Sequence, residues 1–80
     1  MNKQEVMDKI QSIFRTVLKH DDLILTENLS ANDVQGWDSL SHMLLISEIE
    51  SALNIKFKLK DLNKMKQVGD LVDIVLSKLS

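Results

Sequence analysis

The residues of this chain whose chemistry is most suggestive are the neighbours Asp38 and Ser39, with His42 three positions further on. A polar segment rich in turn-forming and cap-forming residues precedes them, and from Leu40 to Leu53 apolar residues recur at helical spacing. Ser39 is therefore predicted in the first turn of a helix, where backbone N–H groups lack partners and the helix dipole is positive. A hydroxyl at this position suits the attachment of an anionic group such as a phosphodiester.

The same residues also have simpler or competing interpretations. Asp38 or Ser39 can act only as the helix cap, since both side chains accept hydrogen bonds from free N–H groups. Ser39 and His42 can share one helical face, which permits a hydrolase interpretation. Nucleophilic catalysis also needs an oxyanion hole and a substrate pocket, and no motif of the sequence indicates either. We therefore expect no catalytic residue and interpret His42 as a surface residue beside Ser39.

Composition excludes several other classes of protein. With 80 residues and no cysteine, the chain is expected to form one small domain over residues 1–80, without disulfides. The polar residues 28–38 do not match the ligand spacing of a calcium-binding EF-hand loop, so no metal site is predicted. The chain has three aromatic residues, and its net charge is −5 up to Ile55 and +3 afterwards. No basic face with interleaved aromatic residues is evident, and no nucleic-acid partner is expected.

The apolar runs are too short to cross a bilayer, and the first residues lack the apolar core of a signal peptide. A cytoplasmic protein without membrane insertion is therefore expected.

The spacing of apolar residues predicts four helices and no strand. The first begins after a capping box formed by Asn2 and Glu5 and ends at His20–Asp22. The other helices are expected at about Ser39–Leu53, within Leu59–Met65 as a short third helix in which Leu59 and Leu62 dock, and along the stripe from Val68 to Leu79. The predicted fold is all-α, a four-helix bundle with a long loop between helices 1 and 2. The apolar loop residues expected to attach it to the core are Leu23, Leu25, Leu29 and Val34.

The predicted second helix has one inward and one outward face. The residues assigned to the core are Leu40, Leu44 or Met43, Ile46, Ile49 and Leu53. Those assigned to the surface are Ser41, His42, Ser47, Glu48 and Ser51. Trp37 has two compatible interpretations: it packs over the end of the bundle as a loop anchor, or it belongs to a surface recognised by other proteins.

The segment Gly36-Trp37-Asp38-Ser39-Leu40, the apolar helix after it and the later Ile55-x-Phe57 together resemble the acyl carrier protein and peptidyl carrier protein family. The resemblance spans nearly the whole chain, including its length and helix order. In that family, the serine of an Asp-Ser-Leu motif carries a 4′-phosphopantetheine arm whose thiol holds acyl or aminoacyl groups as thioesters. The resemblance implies that Ser39 is the attachment residue, that Asp38 presents it and that Leu40 anchors the helix start in the core.

The resemblance also implies partners. Coenzyme A would donate the arm through a separate phosphopantetheinyl transferase, and acyl- or aminoacyl-loading and transfer enzymes would use it. The residues expected to contact these partners are Trp37, His42, Met43 and Glu48. We expect a monomer.

The pathway is not set by the resemblance. Lysines around the third helix differ from the acidic surface that carriers of bacterial fatty acid synthesis present, which favours a stand-alone, specialised carrier of a polyketide, peptide or cell-surface polymer pathway. The alternative function is a small helical interaction module without a prosthetic group.

Overall fold

In the computed structural model, which describes residues 1–79, the first helix begins at the predicted capping box. Oδ1 of Asn2 accepts the N–H of Glu5 at 2.9 Å, and the Glu5 carboxylate accepts the N–H of Asn2 at 3.0 Å. This helix, α1, spans Lys3–Leu18. It ends at Lys19, whose φ of 54° lies in the left-handed region that stops a helix.

The remaining helices follow in the predicted order. They are α2 (Ser39–Leu53), α3 (Leu59–Asn63) and α4 (Val68–Leu79), and residues 1–79 contain no β-strand. Helix α3 is two residues shorter than its predicted range. Helix α1 packs against both α2 and α4, and their buried apolar side chains form one core with those of the loop. The predicted all-α, four-helix fold is confirmed.

The long loop over residues 19–38 is attached at both ends. Leu23, Leu25 and Val34 are buried as predicted, and Leu29 is half-buried against the core. Near α1, the guanidinium Nε of Arg15 donates to the carbonyl of Leu23 at 2.7 Å. Side-chain and backbone groups therefore hold the loop against α1 before it reaches α4.

The middle of the loop, at Glu27 and Leu29, caps the start of α4. The carbonyls of Leu29 and Glu27 accept the N–H groups of Val68 and Gly69, each at 2.8 Å. Helix N–H groups at this end have no intrahelical partner, and Gln67 supplies no side-chain cap. The loop carbonyls satisfy them instead, so the loop and α4 stabilise each other.

The predicted inward face of α2 is partly wrong. Ile46 and Ile49 are buried and Leu53 is half-buried, as expected. Leu40 and Leu44, however, are 76% and 56% exposed.

Met43, the alternative to Leu44, is also exposed, at 52%, while the unassigned Leu45 is fully buried. In the first half of α2, the helix's own apolar residues point in nearly all directions around its axis. Their spacing therefore allows more than one stripe of the helix to be buried. The positions of α1 and the loop select one of these stripes.

The third helix also differs from its prediction in one residue. Leu62 is half-buried and packs against the core, but Leu59 is 75% exposed and does not dock. Polar contacts hold α3 instead. The Asp61 carboxylate accepts the N–H of Lys58 at 2.8 Å and forms a 2.8 Å ion pair with Lys78 of α4. A helix of five residues has little stability of its own, and this ion pair fixes it to α4.

Candidate functional site

The start of α2 is built around the side chain of Asp38. Its backbone is extended, and its carboxylate accepts the N–H of Ser41 at 2.9 Å, which confirms Asp38 as the helix cap. The Ser41 hydroxyl in turn accepts the backbone N–H of Asp38 at 2.9 Å. The same hydroxyl donates to the carbonyl of Gly36 at 2.7 Å. Residues 36–41 therefore form a closed hydrogen-bonded turn. Gly36 has a φ of +88°, a conformation that side-chain-bearing residues rarely adopt.

Ser39 lies inside this turn but takes no part in its hydrogen bonds. It is the first residue of α2, its side chain is exposed, and its hydroxyl has no hydrogen-bond partner within residues 1–79. Asp38 already supplies the cap, so the Ser39 hydroxyl is free for chemistry. The hydrogen bond from Ser41 also holds the pKa of Asp38 below its ordinary range, and the cap stays ionised at neutral pH.

Trp37 lies within this turn, and its side chain contacts His42, the residue that follows the turn. The indole N–H of Trp37 donates to Nδ1 of His42 at 3.1 Å, and the two rings stack with centroids 6.0 Å apart. Trp37 is buried and meets Phe14 of α1 edge to face, with ring centroids 5.0 Å apart. The loop-anchor interpretation of Trp37 is confirmed. Its predicted contact with partners stays a prediction.

His42 is half-buried rather than on the surface. Burial lowers the pKa of its imidazole, and because Nδ1 accepts a hydrogen bond, the proton of the neutral ring resides on Nε2. No hydrogen bond joins His42 to the Ser39 hydroxyl. A nucleophile and base pair therefore does not form in this arrangement.

A cavity of about 370 Å³ opens beside Ser39. We call it the Ser39 cavity. Its wall brings together the loop, α2 and the connection between α3 and α4, through Trp37, His42, Met43, Met65 and Lys66. Most of this wall is apolar, and within residues 1–79 Lys66 is its one basic residue apart from His42.

The structure brings most of the predicted site residues together, with two exceptions. Trp37, Asp38, Ser39, His42 and Met43 all line the Ser39 cavity.

Leu40 does not anchor the helix start in the core. Its side chain is exposed, and with Met43 and Leu44 it forms an exposed apolar patch on α2, which we call the α2 patch. Glu48 is exposed farther along α2, where it faces α1 rather than the Ser39 cavity.

Residues of the site that were not identified from the sequence include Ser41 and Lys66. Ser41 completes the capping box, and its position three residues after Asp38 is the spacing that such a box requires. Lys66 reaches the Ser39 cavity from the α3–α4 connection. No local pattern distinguishes Lys66 from the neighbouring lysines, since its contact with the cavity depends on how the chain folds.

The described residues contain no group of three or more His, Asp or Glu side chains that could hold a metal ion. None of the helices within residues 1–79 is long and apolar enough to cross a membrane. A covalently attached, flexible group fits this site better than a buried ligand does, because the free hydroxyl of Ser39 lies at a positive helix end next to an open apolar cavity.

Comparison with known proteins agrees with this fit. Residues 8–75 match the family model described as "Phosphopantetheine attachment site". The acyl carrier protein of Thermotoga maritima is 33% identical over 78 residues, covering 98% of this chain and 96% of that protein. That of Guillardia theta is 32% identical over 81 residues, covering 100% and 99%.

A solved structure is also similar. The solution NMR structure of holo acyl carrier protein from Geobacter metallireducens superimposes with a TM-score of 0.88 at 50% identity, covering 92% of this chain and 85% of that one.

The fold and the site thus define a phosphopantetheine-bearing carrier domain. The chain belongs to the acyl carrier protein family. Its prosthetic group is covalently attached 4′-phosphopantetheine, and its function is to carry acyl groups as thioesters. Members of this family are carriers, and membership implies interaction with a phosphopantetheinyl transferase and with biosynthetic enzymes.

Proposed function

We propose that Ser39 is the residue to which 4′-phosphopantetheine is attached. The observation that carries the proposal is the free, exposed hydroxyl of Ser39 in the first turn of α2, at the edge of the Ser39 cavity. Loading forms a bond between the Ser39 oxygen and phosphorus and breaks the phosphoanhydride of coenzyme A. The hydroxyl proton goes to a base of the transferase, and adenosine 3′,5′-bisphosphate leaves.

The neighbouring residues hold Ser39 in place for this reaction. Asp38 caps α2, and Ser41 ties that cap to the carbonyl of Gly36, so the turn presents the hydroxyl outward. The positive end of α2 favours an anionic phosphodiester at Ser39, and Lys66 is a basic residue in the lining of the same cavity. The bound group supplies a terminal thiol that forms thioesters.

The chain itself performs no catalysis in this proposal. His42 directs Nδ1 to Trp37 and makes no hydrogen bond to Ser39, so nothing in the site activates the serine. The transferase therefore supplies the base and a magnesium ion, and Ser39 is a passive acceptor.

The partner surface is proposed to include the α2 patch and Glu48. Leu40, Met43 and Leu44 are exposed next to Ser39, although large apolar residues of a small domain are usually buried. Loading and transfer enzymes that reach Ser39 must pass over this patch, which makes Met43 a contact residue. Trp37 and His42 contribute mainly by shaping the Ser39 cavity.

We further propose that residues 1–80 act as one monomeric domain in the cytoplasm. One continuous core joins all parts of the described chain, which supports a single domain. Coenzyme A and the biosynthetic enzymes that load carriers are cytoplasmic, which supports the location. Which acyl or aminoacyl group is carried depends on those enzymes.

The proposal is tested by intact mass before and after incubation with coenzyme A, magnesium and a broad-specificity phosphopantetheinyl transferase. We expect one adduct, which peptide mapping places on Ser39. Ser39→Ala should acquire none and should remain folded, because Asp38 still caps α2. Ser47→Ala, an exposed serine on the same helix, is the matched control and should load like the original chain. An adduct on Ser39→Ala would place the attachment elsewhere.

A further inference from the structure

The hydrogen bond between Trp37 and His42 spans the residue that receives the arm. Trp37 is the last loop residue before Asp38, and His42 lies in the first turn of α2, so Ser39 is between them in the chain. The indole N–H donates to Nδ1 of His42 at 3.1 Å. On its other side, the Trp37 ring packs edge to face on Phe14. The three rings link α1 to the start of α2.

This contact differs from the capping contacts around it. Asp38, Ser41 and Gly36 hold the turn together through hydrogen bonds within residues 36–41. Those bonds all lie within the turn and make no contact with α1. The bond between Trp37 and His42 fixes the indole against α2, and the packing of the same ring on Phe14 joins the turn to α1.

We propose that His42 is a positioning residue for loading: by accepting the indole N–H of Trp37, it holds the turn so that the Ser39 hydroxyl is presented to the transferase. The inference rests on the proposed function of Ser39. It assigns His42 no contact with the reacting atoms. Its effect reaches Ser39 only through Trp37.

The proposal has a consequence for pH dependence. Nδ1 can accept the indole N–H only while the imidazole is neutral, because both ring nitrogens are donors in the protonated form. Burial lowers the pKa of His42, and no charged neighbour contributes to that shift. The charged groups lining the same cavity are Asp38 of the α2 cap and Lys66 of the α3–α4 connection, and Phe14 of α1 and Met65 bring no charge.

The direction of the effect follows from the lowered pKa. Above the ordinary imidazole pKa of 6.5, His42 is neutral in both the folded and unfolded chain, and its contribution to stability is complete. As pH falls below this value, the unfolded chain gains the proton first. The contribution is then lost as pH falls through the lowered pKa of the folded protein. Protonation breaks the bond to Trp37, and presentation of Ser39 should weaken with it.

Loading kinetics of the original chain, four single variants and one double variant test the proposal, using coenzyme A, magnesium and a broad-specificity transferase. His42→Asn keeps an acceptor near the position of Nδ1 but does not titrate, and His42→Leu has no acceptor. Trp37→Phe removes the donor and keeps a ring. His20→Asn makes the same change at the exposed histidine outside the Ser39 cavity and is the matched control.

We expect His42→Leu and Trp37→Phe to lower kcat/KM by about threefold to tenfold, the effect of one hydrogen bond, mainly through kcat. Their effects should not add in the double variant, since both remove the same contact. His42→Asn should load within about twofold of the original chain at neutral pH, as expected when an acceptor is retained.

The pH dependence of loading is a separate test. Dividing the loading rate of the original chain by that of His42→Asn at each pH removes the pH dependence of the transferase. This ratio should fall as His42 gains its proton, and the ratio to His20→Asn should stay flat.

A second readout does not depend on loading. Trp37 is the only tryptophan in the sequence, so its indole N–H gives one NMR signal. In the original chain this signal should move with the titration of His42, and in His42→Asn it should not. The signal also keeps the proposal testable if His42→Leu does not fold.

Different results overturn different claims. If the original chain loads on Ser39 while His42→Leu and Trp37→Phe load equally fast, the positioning role is wrong and the attachment site stands. If the chemical shift of the Trp37 indole N–H does not change as His42 titrates, the positioning role is also wrong. If the original chain acquires no adduct at Ser39, the proposed attachment site fails and the positioning role fails with it.

Discussion

Asp38 and Ser39 are adjacent, but the turn that contains them gives each a separate task. Asp38 uses its carboxylate for the cap, and the hydrogen bond from Ser41 lowers the pKa of that carboxyl. Ser39 needs no hydrogen bond to keep the helix start in place, so its hydroxyl can be modified without loss of structure. With Ser39 as the proposed attachment residue, separating the cap from the modified side chain allows the bare and the loaded protein to share one fold.

Substitutions at Asp38 test this division of tasks. Asp38→Ala removes the cap and should lower the thermal midpoint by about 4–8 °C, a shift typical of losing one helix cap in a domain of this size. Asp38→Asn keeps a capping oxygen and should lower it less. Thermal unfolding followed by circular dichroism measures both. Equal midpoints for all three proteins would show that Ser41 alone holds the turn.

The charge of Asp38 adds a pH dependence to the same comparison. Its folded-state pKa lies below the ordinary value of 3.8, so the ionised carboxylate stabilises the fold above that pH. The stability advantage of Asp38 over Asp38→Asn should be complete above this value and disappear as pH falls through the lowered pKa. An advantage independent of pH would indicate that charge does not contribute.

Among the elements, the loop and α4 depend on each other most directly. Glu27 and Leu29 provide the carbonyls that cap α4, and Gly69 allows the loop backbone to approach closely. A Cβ at position 69 would lie 3.1 Å from the carbonyl oxygen of Glu27 and 3.2 Å from its Cβ. Such contacts require the loop to move away from the helix.

Gly69→Ala therefore sets two effects against each other. Alanine favours a helix over glycine by up to about 1 kcal/mol, less in a first turn, while displacement of Glu27 weakens a backbone hydrogen bond. We expect the second effect to dominate, with a net loss of about 1 kcal/mol in the free energy of unfolding measured in urea. The amides of residues 68 and 69 should also exchange faster with solvent.

A substitution elsewhere on α4 serves as the control for Gly69→Ala. Asp73→Ala also introduces alanine at an exposed position of α4, but it places no new Cβ against the loop. Because Asp73 interacts with Lys3, the ion-pair partner of Glu27, amide exchange at residues 68 and 69 should change less than in Gly69→Ala. A higher free energy of unfolding in Gly69→Ala would mean that the loop can move at little energetic cost. The greater helix propensity of alanine would then be the larger effect.

The arrangement of the whole molecule creates the Ser39 cavity. Met43 comes from α2, Met65 from the α3–α4 connection, and Trp37 from the loop. Its volume of about 370 Å³ lies in the range of small-molecule sites. Methionine side chains adapt readily to apolar ligands, so this cavity suits cargo of varied shape.

Loading the protein with a medium-length acyl chain should affect the methionines unequally. We expect the methyl NMR signals of Met43 and Met65 to shift between the holo and acylated forms, because both line the cavity beside Ser39. Met1 and Met7 lie on the N-terminal part of the chain, outside this cavity, and serve as internal controls. Unchanged signals at Met43 and Met65 would place the acyl chain in solvent or elsewhere on the protein.

The starts of three helices and the position of Ser39 in a first turn were accessible from the sequence because their determinants are local. A capping box, an N-cap residue and a stripe of apolar residues each act within a few residues, and α1, α2 and α4 begin where these signals predicted. The anchoring leucines of the loop were predicted for a similar reason, since apolar residues in a polar segment need a core to contact.

Long-range packing determined the remaining features. The exposed positions of Leu40 and Leu44 and the burial of Leu45 depend on where α1 and the loop cover α2, because its apolar residues allow several stripes. The packing of Trp37 on Phe14 and the approach of Lys66 to the Ser39 cavity join segments whose distance is set by the folded chain. Local patterns along the chain thus specify where its helices begin and place Ser39 in a first turn, and packing between distant segments specifies the surroundings of that serine.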